Sequence, residues 1–125
     1  MEIIKVPLPD GVVKLCIGAS YNENFNEVSG TVELDIENQA YFVDSVSGLF
    51  DEGKVKLVVD MGNVTYIDSS GLWALFEGHK KAVQKNGQLV LFHVTKDVKR
   101  VLDITKMSTK LAVCETEEDA LATFR

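Results

Sequence analysis

The sequence predicts an α/β protein with a mainly parallel sheet, because short β-branched runs alternate with helical segments along the chain. Its 125 residues are enough for a domain that buries about two-thirds of its unfolded surface, so we predict one domain over residues 1–125. Apolar residues make up 46% and charged residues 26%, as in soluble globular proteins, which excludes disordered and collagen-like classes.

The N-terminal part contains two predicted strands and one predicted helix. Residues 11–18 form a strand bounded by glycines, with residues 3–6 as its partner or as an edge piece. Residues 19–30 are rich in Asn, Ser and Glu, which predicts turns. From Asp35 to Gly53, apolar side chains recur every three or four residues, which predicts a helix. Its predicted buried stripe comprises Ile36, Ala40, Val43, Val46 and Phe50.

The middle of the chain contains a predicted central strand and a long helix. Residues 55–60 are a β-branched run without clean polar alternation, as expected of a strand covered on both faces. The helix follows the segment Asp68-Ser69-Ser70-Gly71 and ends at Asn86-Gly87, where lysines and a left-handed cap favour termination. Its predicted buried stripe comprises Leu72, Leu75, Phe76, His79 and Val83.

The C-terminal part contains two further strands and two further helices. The strands are predicted over residues 88–92 and 111–114. Thr95 is the predicted cap of a helix whose apolar positions are Val98, Val101, Leu102 and Thr105. Thr116 is the predicted cap of the last helix, and three carboxylates occupy the first turn of that helix.

Composition limits the possible partners, location and cofactors. A net charge of −6 and a pI near 4.8 argue against binding to nucleic acid or to anionic membranes. There is no signal-peptide pattern and no apolar run of about 18 residues, so the expected location is the cytoplasm. Cys16 and Cys114 lie in separate apolar runs and are predicted to be buried, reduced thiols. His79 and His93 lack metal-ligand spacing, so neither a metal site nor a cofactor is predicted.

The segment Asp68-Ser69-Ser70-Gly71 has two interpretations. In the structural one, Asp68 or Ser69 caps the free N–H groups of the helix and Gly71 permits a tight turn. In the functional one, a hydroxyl at a helix N-terminus is a favourable place for a phosphate. Phosphorylation adds about −1.5 to −2 charges, which the fold should tolerate but an acidic or closely packed partner surface should not.

Several segments carry a resemblance to a known family. They are Val58-Val59-Asp60, residues 64–72 around the motif, and residues 87–91, 98–105 and 117–121. Together they resemble STAS domains of the bacterial anti-sigma factor antagonist type. The resemblance covers about residues 30–123 and is strongest over residues 54–123. It implies a mainly parallel or mixed sheet of four to five strands with about four helices packed on it.

The resemblance also implies a function in partner switching. An unphosphorylated antagonist of this family binds an anti-sigma factor that is also a serine kinase of the histidine-kinase-like ATPase type, so the sigma factor is released. The kinase then phosphorylates the antagonist, which dissociates until a serine phosphatase restores it. The acceptor hydroxyl precedes the motif glycine, which corresponds to Ser70 here, with Ser69 as the alternative. Asp68 is expected to position the loop and to contact the kinase.

Trp73 lies three positions after Ser70 and faces away from the predicted buried stripe. It is therefore expected to be at least partly exposed beside the acceptor. Either it anchors an interface, or it covers a neighbouring element. The predicted partner-binding residues are Asp68, Ser69, Ser70, Gly71 and Trp73.

Other functions remain as alternatives. A STAS module can serve without the switch, as a signalling scaffold or as an accessory module of a transporter. An enzyme is not expected, because the chain has neither a Gly-x-Ser-x-Gly elbow nor a phosphate-binding glycine loop. His79 is expected to be a satisfied, half-buried side chain, Asp60 to accept loop N–H groups, and His93 to lie where it could approach Ser70. A monomer or a weak dimer is expected.

Overall fold

The computed structural model describes residues 1–124, which form two layers of helices around a central sheet. The strands are β1 (Glu2–Pro7), β2 (Val12–Gly18), β3 (Ser20–Asn22), β4 (Glu27–Ser29), β5 (Val32–Leu34), β6 (Lys56–Asp60), β7 (Val64–Ile67), β8 (Gln88–Phe92) and β9 (Ala112–Val113). The helices are α1 (Gln39–Asp51), α2 (Ser69–Gln84), α3 (Lys96–Ile104) and α4 (Glu117–Ala122).

The main sheet has five strands in the order β1-β2-β6-β8-β9. β1 is antiparallel to β2, and every other neighbouring pair is parallel. The predicted α/β class with a mixed sheet of four to five strands and about four helices is confirmed. The predicted last strand is shorter than expected, because only Ala112 and Val113 pair with β8.

Both faces of the main sheet are covered, as the sequence of its central strand predicts. Leu57 and Val59 of β6 lie in the large core under α1, α2 and α3. Val58 lies between them in sequence and faces a smaller cluster with Ala120 of α4. Alternate residues of one strand therefore pack against helices on opposite sides of the sheet.

Two small sheets lie outside the main one. β5 and β7 pair in parallel; β7 is followed by α2 after Asp68, and β5 is followed by α1 after a turn over residues 35–38. Residues 20–29, where the sequence predicts turns, form the β3–β4 hairpin. The turn prediction describes only its tip, where Asn26 has a φ of 50° and the Asn22 side chain accepts a hydrogen bond from the Asn24 N–H.

Helix α1 begins at Gln39 and not at Asp35, which corrects the predicted boundary. Asp35 and Asn38 hold the preceding residues in a turn: the Asp35 carboxylate accepts from the Glu37 N–H, and the Asn38 side chain accepts from the Asp35 N–H. The predicted stripe is therefore wrong at Ile36 and Ala40, which are both exposed. The buried residues of α1 are Phe42, Ser45, Val46, Leu49 and Phe50.

The packed face of α2 also differs from the predicted stripe. Val83 is 52% exposed and not buried. The small residues Ala74, Gly78 and Ala82 are buried instead, and an added Cβ at Gly78 would lie 3.1 Å from Leu89. The helix can thus approach the sheet closely. It ends as predicted before Asn86, whose φ is 64°.

Of the two threonines predicted to cap helices, only Thr116 does so. Thr116 caps α4 as predicted, because its Oγ1 accepts a hydrogen bond from the Asp119 N–H at 3.1 Å. Thr95 precedes α3, but its hydroxyl donates to the Val64 carbonyl at 2.7 Å and does not cap the helix. Thr105, predicted on the apolar face of α3, is exposed. The Thr95 hydroxyl therefore ties α3 to β7.

The two cysteines are free, as predicted, but they are only half-buried. Burial raises the pKa of the Cys16 thiol and that of the Cys114 thiol. Both side chains are therefore poor nucleophiles near neutral pH. In the part of the chain that the structure describes, no helix has the length and apolar character needed to span a bilayer.

Candidate functional site

One carboxylate connects the two loops that precede α1 and α2. Asp68 is the N-cap of α2, and its Oδ1 accepts a hydrogen bond from the Gly71 N–H at 2.9 Å. Its Oδ2 accepts from the Ile36 N–H at 3.2 Å. The Asp68 N–H donates to the Leu34 carbonyl at 3.3 Å. Asp68 therefore fixes the start of α2 against the end of β5, and it also fixes the loop that follows β5.

Gly71 allows the first turn of α2 to approach β5. A Cβ added at this position would collide with the backbone carbonyl of Leu34 and would lie 2.8 Å from the Ile67 side chain. Real Cβ atoms do not make such contacts, and a backbone carbonyl in a paired strand cannot move aside cheaply. The glycine is thus required by packing, not by the tight turn that the sequence suggests.

Ser69 and Ser70 are the first two residues of α2. The side chain of Ser69 is exposed and Ser70 is half-buried. The N–H groups of a first helical turn have no acceptor within the helix, and they make this end of the helix partly positive. No acidic residue occupies the first turn of α2 beyond its cap. The two hydroxyls therefore lie where an added negative charge is favoured.

Trp73 and Ile36 are among the large apolar side chains that are exposed near this loop. Trp73 lies one helical turn beyond Ser69 and Ser70 and is 52% exposed, as predicted from the helical pattern. Ile36 is 68% exposed, and its N–H is bound by Asp68. Sequence reasoning missed Ile36 because its spacing fits the α1 stripe. The Asp35-x-x-Asn38 pattern, typical of a turn before a helix, is the signal that could have identified it.

Both histidines have structural partners. His93 Nδ1 lies 3.3 Å from Asp60 Oδ1, which also accepts the Gly62 N–H at 2.9 Å. The predicted role of Asp60 in binding loop N–H groups is confirmed, and His93 pairs with Asp60 and not with Ser70. His79 is half-buried, with Nδ1 3.4 Å from the Leu89 carbonyl oxygen, in agreement with the prediction.

A cavity of about 460 Å³ lies at the carboxyl ends of β8 and β9 and includes His93 and Cys114 in its lining. None of the four motif residues lines it. Because Ser69 is exposed and Ser70 is half-buried, the two hydroxyls suit contact with another macromolecule better than enclosure of a small molecule in this cavity.

Comparison with known proteins identifies the family. The family model of the STAS domain matches residues 26–120, a range that contains the whole site. The anti-sigma-B factor antagonist of Staphylococcus epidermidis is 32% identical over 98 residues, which cover 78% of this chain and 90% of that protein. The chain belongs to the family of STAS domain anti-sigma factor antagonists.

Solved structures agree with this fold. An anti-sigma factor antagonist from Mycobacterium paratuberculosis superposes with a TM-score of 0.74 at 18% identity, covering 98% of this chain and 93% of the other. The Bacillus cell fate determinant SpoIIAA in its phosphorylated form gives a TM-score of 0.66 at 14% identity, covering 99% and 100%. These structures confirm the fold, while the family model and the Staphylococcus epidermidis relative confirm the sequence-based family assignment. The motif of this STAS domain protein lies at the start of its second helix.

Proposed function

We propose that this STAS domain protein is a partner-switching antagonist controlled by phosphorylation of Ser70. In the unphosphorylated form it binds an anti-sigma factor that is also a serine kinase of the histidine-kinase-like ATPase type, and the sigma factor is released. Phosphorylation ends this interaction, and a serine phosphatase restores it. The single observation that carries the proposal is the pair of hydroxyls at the capped N-terminus of α2, where the first turn holds no acidic residue.

The proposed reaction places the phosphoryl group at the positive end of a helix. The Ser70 Oγ attacks the γ-phosphorus of ATP, the bond to the ADP oxygen breaks, and the kinase accepts the hydroxyl proton. The N–H groups and the dipole of α2 then favour the new phosphate. The antagonist supplies only the acceptor and no catalytic group. A phosphorylated form of SpoIIAA, a structural neighbour, supports this assignment by analogy.

Release of the partner follows from the added charge. Phosphate adds about −1.5 to −2 charges beside the Asp68 carboxylate. A closely packed partner that covers this loop must remove water from that charge, which is costly without a matched cation. The same charge costs the free antagonist little, because Ser69 is exposed and Ser70 is only half-buried. We propose that the antagonist acts in this way as a single cytoplasmic domain, as a monomer or a weak dimer.

The test is a parallel capture from a lysate of the native host with wild-type protein, Ser70→Ala and Ser70→Glu. Ser70→Ala should retain a histidine-kinase-like ATPase persistently, and Ser70→Glu should retain less of it, with a partial effect because the mimic carries only about one charge. Incubation of the captured kinase with ATP should phosphorylate the wild type and Ser69→Ala, and should not phosphorylate Ser70→Ala.

Two outcomes would contradict the proposal. If Ser70→Ala incorporates phosphate like the wild type, Ser70 is not the acceptor, and Ser69 replaces it. If wild type and Ser70→Glu retain the same scaffold or transporter subunits, the loop is not a switch. Unfolding free energies of the three proteins serve as the control, because altered retention is meaningful only when all of them are folded.

A further inference from the structure

Positive charge is absent from the part of the chain that builds the site. Residues 15–53 and 57–79 contain eleven Asp and Glu residues and no Lys or Arg. These two stretches supply β5, α1, β7 and the first turns of α2, which together form the site. All thirteen Lys and Arg residues lie elsewhere in the sequence. These two stretches therefore carry eleven negative charges and no positive one, whereas the remaining residues carry eight negative and thirteen positive charges.

The backbone that carries the exposed apolar side chains of the site is anchored by hydrogen bonds and by packing. The Ile36 N–H is bound by Asp68, and the neighbouring turn is closed by the Asp35 and Asn38 side chains. Trp73 projects from the second turn of α2, which is anchored by Gly71 against β5. The nearest lysine along the exposed face of α2 is Lys80, about 10 Å further along the helix axis. Two exposed apolar side chains are thus presented on segments that carry no Lys or Arg.

We propose that the partner docks here through a basic surface that carries an apolar pocket for Ile36 and another for Trp73. This inference rests on the proposed function, because it takes the anti-sigma factor kinase as the partner. Charge complementarity selects a basic partner and accelerates its association. Desolvated aromatic anchors such as Trp account for much of the affinity at many interfaces, and an aliphatic side chain seated in a pocket also serves as an anchor. We call Ile36, Ser69, Ser70 and Trp73 the docking surface.

A basic partner changes the explanation of the switch. At long range, a phosphate on Ser70 would be attracted to such a partner and not repelled by it. Release therefore depends on short-range contact, because the phosphate lies beside two apolar anchors that must shed water to bind. The Ile36 and Trp73 contacts are thus expected to give both the affinity of the unphosphorylated form and its sensitivity to phosphate.

The first experiment measures binding to the purified host kinase recovered by the Ser70-dependent capture. Ile36→Ala and Trp73→Ala should each weaken the dissociation constant about tenfold or more. Ile104→Ala is the matched control, since Ile104 is 73% exposed on α3 and lies outside the docking surface. That variant should bind within about twofold of the wild type. Equal affinity of all three variants would overturn the assignment of the anchors.

The second experiment measures association rates as a function of salt. The double variant Glu33→Lys/Glu37→Lys reverses two exposed charges next to Ile36 and should slow association about tenfold at low ionic strength. The difference should shrink at about 0.5 M salt, where exposed charges are screened. The control, Glu115→Lys/Glu118→Lys, reverses two exposed charges at α4, which packs on the other face of the sheet. Equal slowing by both pairs would overturn the basic partner surface.

The two experiments separate this inference from the proposed function. If no host kinase binds in a Ser70-dependent manner, the proposed function fails and the docking inference fails with it. If the kinase binds and phosphorylates Ser70 but ignores the anchor and charge variants, only the docking inference is wrong. Unfolding free energies confirm that each variant is folded before its binding is compared.

Discussion

Helices α2 and α4 begin in similar ways, but their first turns differ in charge. Each has a side-chain cap, Asp68 for α2 and Thr116 for α4. The first turn of α4 already carries Glu117, Glu118 and Asp119, whereas that of α2 carries none. Both arrangements obey the preference of a helix N-terminus for negative charge. In α4, the three carboxylates of the first turn satisfy this preference. In α2, no carboxylate follows the cap, and the first two residues are serines.

The two helix starts also differ in how they are packed. The residue three positions after the cap is Gly71 in α2, pressed against β5, and the exposed Asp119 in α4. Asp68 binds a second loop as well as its own helix, while Thr116 binds only its own helix. Glu117 is held by Lys14 at 3.1 Å. The start of α2 is therefore integrated into the core, and the start of α4 is a surface feature.

The largest expected effect tests this difference in packing. Gly71→Ala should destabilise the protein by about 3 kcal/mol or more, because the new methyl group meets the Leu34 carbonyl and Ile67. Gly48→Ala in α1 is the matched control, since its Cβ would meet only the Lys5 Nζ at 3.9 Å. It should stabilise the helix by about 0.5–1 kcal/mol. Chemical denaturation measures both, and a loss below about 1 kcal/mol for Gly71→Ala would show that α2 is not packed tightly here.

An intermediate loss of stability is expected when either helix cap is removed. Asp68→Ala should cost about 2 kcal/mol, because it removes the α2 cap and a charge-assisted bond to the Ile36 N–H. Thr116→Ala should cost about 1 kcal/mol, since only one capping bond is lost. Urea unfolding of both variants measures the difference. Equal costs would mean that the link between Asp68 and Ile36 contributes nothing to stability.

The smallest effect concerns the ion pair at α4. Burial lowers the pKa of Lys14, but the hydrogen bond and charge of Glu117 outweigh this, so its pKa lies above the ordinary 10.5. A raised pKa stabilises the folded state below the unfolded-state value, and this contribution disappears as the pH rises through the folded-state pKa. Unfolding free energies of wild type and Lys14→Met should therefore differ at about pH 9 and converge at higher pH. A difference that persists unchanged above that range would exclude the ion pair as its cause.

Much of the fold could be predicted from local pattern. The run at 55–60 has the composition of a doubly covered strand, and it is the central strand of the sheet. A cap at Asp68 or Ser69 and the exposure of Trp73 are also predicted from local pattern, and the structure shows that Asp68 is the cap. Two patterns were misleading, the first because a local turn replaces the start of the helix and the second because a tertiary contact takes the capping hydroxyl. Ile36 fits a helical stripe but lies in a turn, and Thr95 fits a cap but binds the Val64 carbonyl.

The sequence by itself determined the α/β class, the family and the motif at the start of α2, because hydrophobic period, capping residues and motif spacing are local properties of the chain. Only the tertiary structure decided that Ile36 joins the motif, since a hydrogen bond to Asp68 spans 32 residues. The same holds for Gly71, because it is β5, a distant segment of the chain, that leaves no room for a side chain at this position. Contacts between distant segments depend on how strands pair and helices pack, and no local pattern records that.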